Sequence, residues 1–334
     1  MLRTAIVGLG WWGKLLVDAV QGGSEDIKFT VGNTRTPAKA EVFCRDRLIR
    51  LVDDFDAVLS DPAVDAVVLA TPHSQHGEQI RRVAAAGKHV FVEKPFTLNS
   101  HDAKAALASV DKAKIVLAVG FNRRFHPSIV ELRNRVRDGR LGVIESCIAE
   151  QTAGGGANIQ PGAWRADPSE TPAGAMTGIG IHIVDLMVSL FGRAGEVHCT
   201  TTRRVARHVD DTTAVLVKFN NGVSGLFFCS MVTVPSYRFA VYGSNGLAEI
   251  LKPTLEDFRF SPRPDPTAGH LAIVQPEQVH NPGFDTLHAE LTAFAACIRD
   301  GKPYPIPAEE VLHGVEVFEA IVESTRIGKP VVVG

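Results

Sequence analysis

In the first 120 residues, short apolar runs alternate with amphipathic stretches, the pattern of a parallel sheet covered by helices on both faces. The apolar runs 4–7, 27–31, 66–70, 89–92 and 115–119 predict strands. Between them, 14–20, 38–47, 75–86 and 100–111 predict helices, each bounded by Gly, Pro or a capping polar residue. Beyond a predicted helix at 127–138 the pattern changes: strand-like runs at 143–148, 197–203, 213–219, 224–229, 238–242 and 248–251 follow one another with few helices between. Tight-turn signals, Asn220-Asn221-Gly222 and Ser244-Asn245-Gly246, separate several of them and predict an open antiparallel sheet. Helices at 178–190, 286–299 and 308–324 are available to cover it, and the Pro-rich stretch 261–266 reads as a surface loop. A sheet face left uncovered would favour self-association, so a homodimer or homotetramer through the C-terminal sheet is expected.

The fold class is therefore an α/β doubly wound domain, 1–121, followed by an α+β domain with a large, mostly antiparallel sheet, 122–334. A chain of 334 residues fits two domains of roughly 150 residues each. Hydrophobic residues at 45% and charged residues at 22% are ordinary for a globular protein, and a net charge of -2 gives no reason to expect nucleic acid or an anionic membrane. Cys44, Cys147, Cys199, Cys229 and Cys297 are scattered and odd in number, with no metal-knuckle or redox-pair spacing. They read as buried thiols of a reducing compartment. With no leader pattern and no long uncharged apolar run, a cytoplasmic location is expected.

The first predicted strand runs into Gly8-Leu9-Gly10-Trp11-Trp12-Gly13. Glycines at this spacing allow a tight turn, close approach of a pyrophosphate, and packing of the next helix on the strand, so a dinucleotide is expected here. Trp11 and Trp12 stand at the helix start, where one would pack over the cofactor or the domain junction, or else into the core. At the end of the second strand, where NAD-preferring folds place an acidic residue, the sequence is Gly32-Asn33-Thr34-Arg35. Thr34 can donate a hydrogen bond and Arg35 can grip a 2′-phosphate bidentately, so NADP is preferred, with NAD also possible.

Further motifs follow: Ala70-Thr71-Pro72-His73-Ser74-Gln75-His76, Glu93-Lys94-Pro95, Gly120-Phe121-Asn122-Arg123-Arg124-Phe125, Trp164-Arg165, and Gly180-Ile181-His182-Ile183-Val184-Asp185. With the glycine loop, they resemble the glucose-fructose oxidoreductase, inositol dehydrogenase and rhizopine-catabolism (Gfo/Idh/MocA) family over nearly the whole chain. The resemblance implies a Rossmann domain, an open-sheet substrate domain, and hydride exchange between a nicotinamide and a hydroxyl-bearing carbon. A hydride leaves an alcohol carbon only as its hydroxyl proton is withdrawn. The resemblance assigns that chemistry to Lys94, which would also meet the nicotinamide ribose, and to His182 as general acid/base. It implies a cis bond before Pro95, and substrate binding or site orientation for Asp185. Thr71, Pro72, His73, His76 and Glu93 are expected along the cofactor, and Asn122 and Arg124 at the cofactor or substrate edge. Trp164 and Arg165, beside a flexible Gly154-Gly155-Gly156 segment, would form a lid over an oxygen-rich substrate. His73 and His76 lack a third ligand at suggestive spacing, so no metal is expected.

One departure stands out. Many members of the resembling family carry an aspartate four residues before the histidine, and here that position is Gly178. A substrate lacking the matching hydroxyl, a substitute carboxylate or imidazole (Asp185, His73 or Glu150), or loss of activity would each account for it. Retention of Lys94 and His182 favours the first two. The expected function is thus an NADP-preferring oxidoreductase of a sugar, cyclitol or related hydroxylated ring. The alternatives are a dihydrodiol or keto-acid dehydrogenase on the same scaffold, or a dinucleotide-sensing regulator without turnover.

Overall fold

The computed structural model describes residues 1–269 and 272–334. Two compact units form, Met1–Asn122 with Asp285–Val315, and Arg123–Phe284 with Glu316–Gly334. This corrects the two-range division expected above, because Asp285–Val315 belongs with the first unit. An apolar helix stripe shows that a helix is buried, but not which sheet buries it.

In the first unit, β1 (Leu2–Val7), α1 (Trp11–Val20), β2 (Ile27–Asn33), α2 (Glu41–Asp46), β3 (Arg50–Val52), α3 (Phe55–Ser60), β4 (Ala66–Leu69), α4 (His76–Ala85), β5 (His89–Glu93), α5 (Ser100–Ala113) and β6 (Leu117–Gly120) alternate. The strands are all parallel, in the order β3-β2-β1-β4-β5-β6. Strand order reverses between β1 and β4, which opens a crevice at their carboxyl ends, the place where doubly wound sheets bind ligands. Both faces are covered, so β4 is buried at all four positions. β3 and α3 escaped the sequence pattern because a three-residue strand and a six-residue helix are too short to show a period.

The second unit contains α6 (Pro127–Arg137), β7 (Ile144–Thr152), α7 (Ile181–Phe191), β8 (Ala194–Thr202), β9 (Thr212–Phe219), β10 (Ser224–Ser230), β11 (Ser236–Gly243), β12 (Gly246–Leu251), β13 (Asp257–Pro262) and β14 (Glu277–His280). The chain then supplies α8 (Thr286–Asp300) to the first unit, the long α9 (Ala308–Ile327), and β15 (Val331–Val332). Among the described residues the second sheet has nine strands in the order β14-β13-β12-β11-β7-β10-β9-β8-β15. Among the described residues only the β7–β10 pair of this sheet is parallel, so the sheet is mostly antiparallel, as its pattern predicts. Burial alternates along β9 and β10, with Val215, Val217, Phe219, Phe227 and Cys229 inward.

Two expectations fail locally. β13 runs into the stretch read as loop, its inward Phe258 and Phe260 carrying the period. Arg133, Arg135 and Arg137 on α6 have the sequence look of a solvated helix face, yet Arg135 is buried: it pairs with Glu131 and Glu277, each at 2.7 Å, and its guanidinium lies over Phe258 and Phe260. Arginine stems cover apolar surface readily when the head finds carboxylates.

Candidate active site

The glycine loop separates what the protein needs from what a ligand needs. Gly8 has φ +101°, and a Cβ on it would lie 2.4 Å from the Ala70 carbonyl oxygen at the end of β4. A Cβ on Gly13 would lie 2.0 Å from the Gly8 oxygen, where α1 packs on its own strand turn. At Gly10 an added Cβ would meet nothing within 4 Å, and its φ is an ordinary -74°. Packing therefore explains Gly8 and Gly13 but not Gly10, and an approaching pyrophosphate does explain it. No side chain caps α1, so its first N–H groups and its dipole stay available to an anion. Trp11 is 73% exposed beside this helix start. The Trp12 indole, 5.5 Å from it, has a buried Nε1 with no hydrogen-bond partner among the described residues.

At the ribose end, the Asn33 side chain donates to the Val52 carbonyl at 3.1 Å, while its main-chain oxygen accepts from Gly8 N–H at 2.9 Å. Asn33 thus ties β2 to β3 and to the glycine turn. Thr34 is half-buried, and Arg35 is exposed, with no ion pair or hydrogen bond among the described residues. Its guanidinium can turn toward an anion without losing an internal partner.

β5 delivers Glu93 and then Lys94, whose bond to Pro95 is cis. Glu93 is buried, and its Oε2 accepts the Lys94 N–H at 3.2 Å. His76, expected along the cofactor, is wholly enclosed instead. Its Nδ1 lies 2.8 Å from the Pro95 oxygen and its Nε2 3.1 Å from the Thr71 oxygen, so the ring clamps the loop after β4 to the Lys94-Pro95 turn. Enclosure leaves it a brace of the wall rather than a cofactor contact. His73, 8% exposed, stands edge-on to it with ring centres 6.0 Å apart. The Thr71 hydroxyl donates to Gln79 Oε1 at 2.6 Å, and Pro72 leads into the short turn His73–Gln75. Asn122 donates its amide to Thr286 Oγ1 at 2.7 Å, which ties the end of β6 to α8.

In the second unit, His182 is the second residue of α7 and 7% exposed. Asp185 accepts Arg124 Nε at 2.8 Å and Nη2 at 2.6 Å, a bidentate pair with side chains 5% and 4% exposed. These two expected substrate contacts hold each other, and the pair anchors the α7 face that carries His182. Residues Met176–Gly180 form a π turn, so Gly178 and His182 are not separated by a regular α-helical turn as the spacing suggested. A Cβ at Gly178 would meet only Met231 Cε, at 3.9 Å, so nothing steric forbids a side chain there. Glu150 cannot replace the missing carboxylate: it is exposed on the outer face of β7, where Ser236 donates to it at 2.7 Å. Trp164 and Arg165 form a short turn in which the exposed guanidinium stacks 4.1 Å from the indole centre. The neighbouring glycine segment is pinned, since Gly156 N–H donates to the Met231 oxygen at 2.7 Å and a Cβ there would strike Met231 at 2.2 Å.

Three residues that the sequence did not single out stand near the start of α7. Cys229, Gln151 and Tyr237 lie side by side across β10, β7 and β11, and Gly180 packs on this row, where its Cβ would be 2.9 Å from Cys229 Sγ. Gln151 Oε1, Tyr237 Oη and Arg123 Nη1 are buried without hydrogen-bond partners among the described residues. The Arg123 guanidinium lies 4.9 Å from the Tyr237 ring centre, close enough for charge to act but outside hydrogen-bond geometry. Burial pushes the Tyr237 phenol up to about 12 against the pull of that charge, and burial lowers Arg123. Unsatisfied buried polar groups call for a ligand or water. Gln151 was findable as a polar residue on the inward side of an alternating strand.

Residues 2–121 match the oxidoreductase family with an NAD-binding Rossmann fold, and residues 129–249 match the GFO/IDH/MocA C-terminal domain. The chain is 29% identical over 349 residues to scyllo-inositol 2-dehydrogenase (NAD(+)) of Bacillus subtilis, covering 99% of this chain and 96% of that one. It is 30% identical over 261 residues to inositol 2-dehydrogenase of Rhizobium meliloti, covering 73% and 74%. Levoglucosan dehydrogenase, solved with NADH and levoglucosan, shares the fold with a TM-score of 0.89 at 21% identity, over 100% of this chain and 99% of that one. The chain belongs to the Gfo/Idh/MocA family of oxidoreductases.

Proposed function

We propose that the protein is an NADP-preferring dehydrogenase or reductase that moves a hydride between nicotinamide and a hydroxyl or carbonyl carbon of a sugar, cyclitol or related hydroxylated ring. The observation that carries this is the Lys94 turn, held at the carboxyl end of the dinucleotide sheet by Glu93 and by the His76 clamp. When bound, the nicotinamide supplies or accepts the hydride. Lys94 and His182 hold and move the proton of the reacting oxygen, His182 as general acid/base and Lys94 as the cation at the hydroxyl. Arg124 and Asp185 keep the His182 helix in place. Buried Gln151 and Tyr237, with the enclosed Nη1 of Arg123, suit a hydroxyl-rich ring, because enclosed polar groups reject ligands that leave them unpaired. The inositol dehydrogenases among the relatives support the same substrate class. A panel of inositols, aldoses and aromatic diols, assayed with NADP and NAD, tests it. Turnover on keto acids or dihydrodiols alone would replace the substrate class, and cofactor binding without turnover on any of them would favour a sensing role.

NADP preference rests on Thr34 and the unengaged Arg35. Arg35→Ala is expected to weaken NADPH binding by roughly 10-fold or more, the worth of one charge-assisted contact, and to leave NADH nearly unchanged. Titration against tryptophan fluorescence reads both, and tighter NADH binding in the unmodified protein would remove the preference.

A homo-oligomer formed through the second sheet accounts for its outer face. There Leu226 stands opposite both Leu216 and Ile148, with Phe228 two residues along, and all four are exposed. Leu226→Glu is expected to shift the protein to monomer in sedimentation, whereas an unchanged mass would place the interface elsewhere. The described residues contain no helix long and apolar enough to cross a membrane. All five cysteines are free and buried, which supports a cytoplasmic, reducing location.

A further inference from the structure

Glu290 on α8 is wholly enclosed, and neither of its carboxylate oxygens has a hydrogen-bond donor among the described residues. An ionised carboxylate so placed would lack both water and a donor, a state that burial disfavours strongly. Its surroundings follow from three contacts in step along α8. Phe294 meets Phe91 with ring centres 5.9 Å apart. Thr286, two helical turns back on the same stripe, accepts the Asn122 amide at 2.7 Å just beyond β6. Glu290 lies midway, about 6 Å from Phe294 along the helix. Glu93 is on the Phe91 face of β5, about 6.6 Å further on. The middle contact of the ladder therefore sets Glu290 against Glu93. Gly120, the register partner of Glu93 on β6, has no side chain to intervene, and a Cβ there would lie 2.8 Å from Glu93 Oε1.

We propose that Glu290 and Glu93 share one proton, with Glu290 as the acid donating to the Glu93 carboxylate, and that this pair is a positioning element holding the Lys94 main chain. The idea rests on Lys94 being a reacting group. Glu93 Oε2 already accepts the Lys94 N–H, so fixing that carboxylate fixes the first atom of the residue. Burial first, then the Glu93 and Asp285 charges, raise the Glu290 carboxyl well above the usual carboxylate range. Other charged groups on the elements packed against α8 are engaged elsewhere or exposed. Lys14 bonds the Lys39 oxygen, Asp18 pairs with Arg47, Lys28 faces solvent, and His89 accepts the Val116 N–H. On α8 itself, His288 bonds the Ala19 oxygen and Arg299 pairs with Asp26 and Asp300.

The test uses Glu290→Gln, which keeps a neutral donor, and Glu290→Leu, which removes it. Glu290→Gln is expected to stay within about threefold of the original kcat, and Glu290→Leu to lose about 10- to 100-fold in kcat with NADPH binding retained. A second readout does not depend on turnover. The folded acid keeps a proton that the unfolded chain releases, so the original protein loses stability relative to Glu290→Gln as pH rises above the ordinary carboxylate range. Its infrared spectrum at neutral pH should also show a protonated carboxyl band absent from Glu290→Gln. Parallel stability curves and no such band would overturn the shared proton, even if Glu290→Leu fails to fold. Full kcat in folded Glu290→Leu would overturn the positioning role. Full turnover in Lys94→Ala would sink the Lys94 assignment while leaving the stability and infrared differences intact.

Discussion

Lys94→Ala is expected to lower kcat by about 10²- to 10⁴-fold, the range for removing a positioned proton-transfer group, while NADPH affinity changes by a few-fold at most. The asymmetry follows from the structure. The proposed dinucleotide supports, Gly8, Gly10, Gly13 and the start of α1, do not depend on the lysine side chain. The Lys94 main chain stays held by Glu93 through its N–H, which the substitution retains. His182→Ala is expected to fall by a similar factor. On the proposed role of both groups in one proton transfer, the double variant should be little worse than either single one. Single-turnover rates and NADPH titrations separate the effects. A Lys94→Ala enzyme with unchanged kcat, or one whose only defect is cofactor binding, would show that the lysine is not a reacting group.

The second large effect concerns stability. Arg124→Ala leaves Asp185 buried at 5% exposure without its guanidinium, and breaking a buried pair from one side costs about 3–5 kcal/mol. Denaturant unfolding of the variant should show that loss, and turnover should fall with it because α7 carries both Asp185 and His182. Replacing both partners with leucine should recover much of the stability, since no lone charge is then buried, but not the turnover. A loss under about 1 kcal/mol in Arg124→Ala would mean that the pair behaves as an exposed one.

Particular residues show where sequence sufficed. Gly8, Gly10 and Gly13 at their set spacing announced the turn of a Rossmann domain, and period-2 and period-3.6 patterns announced the two sheet types. The partners of Asp185 and His76 were not legible. Whether a carboxylate meets a substrate or a guanidinium 61 positions away depends on which faces are brought together. The same holds for Gln151 Oε1, Tyr237 Oη and Arg123 Nη1, each unremarkable in the sequence and notable only as a buried atom without a hydrogen-bond partner among the described residues.

Sequence by itself determined the family, the doubly wound first sheet and the mostly antiparallel second one, since these rest on local spacing and periodicity. Tertiary structure alone decided that α8 returns to the first unit, that Arg124 engages Asp185, that Gly178 leaves open space, and that Glu290 is wholly enclosed with no donor among the described residues. Those outcomes depend on burial and on contacts between distant positions, and an amphipathic stripe or a lone charge does not encode which surface it will meet.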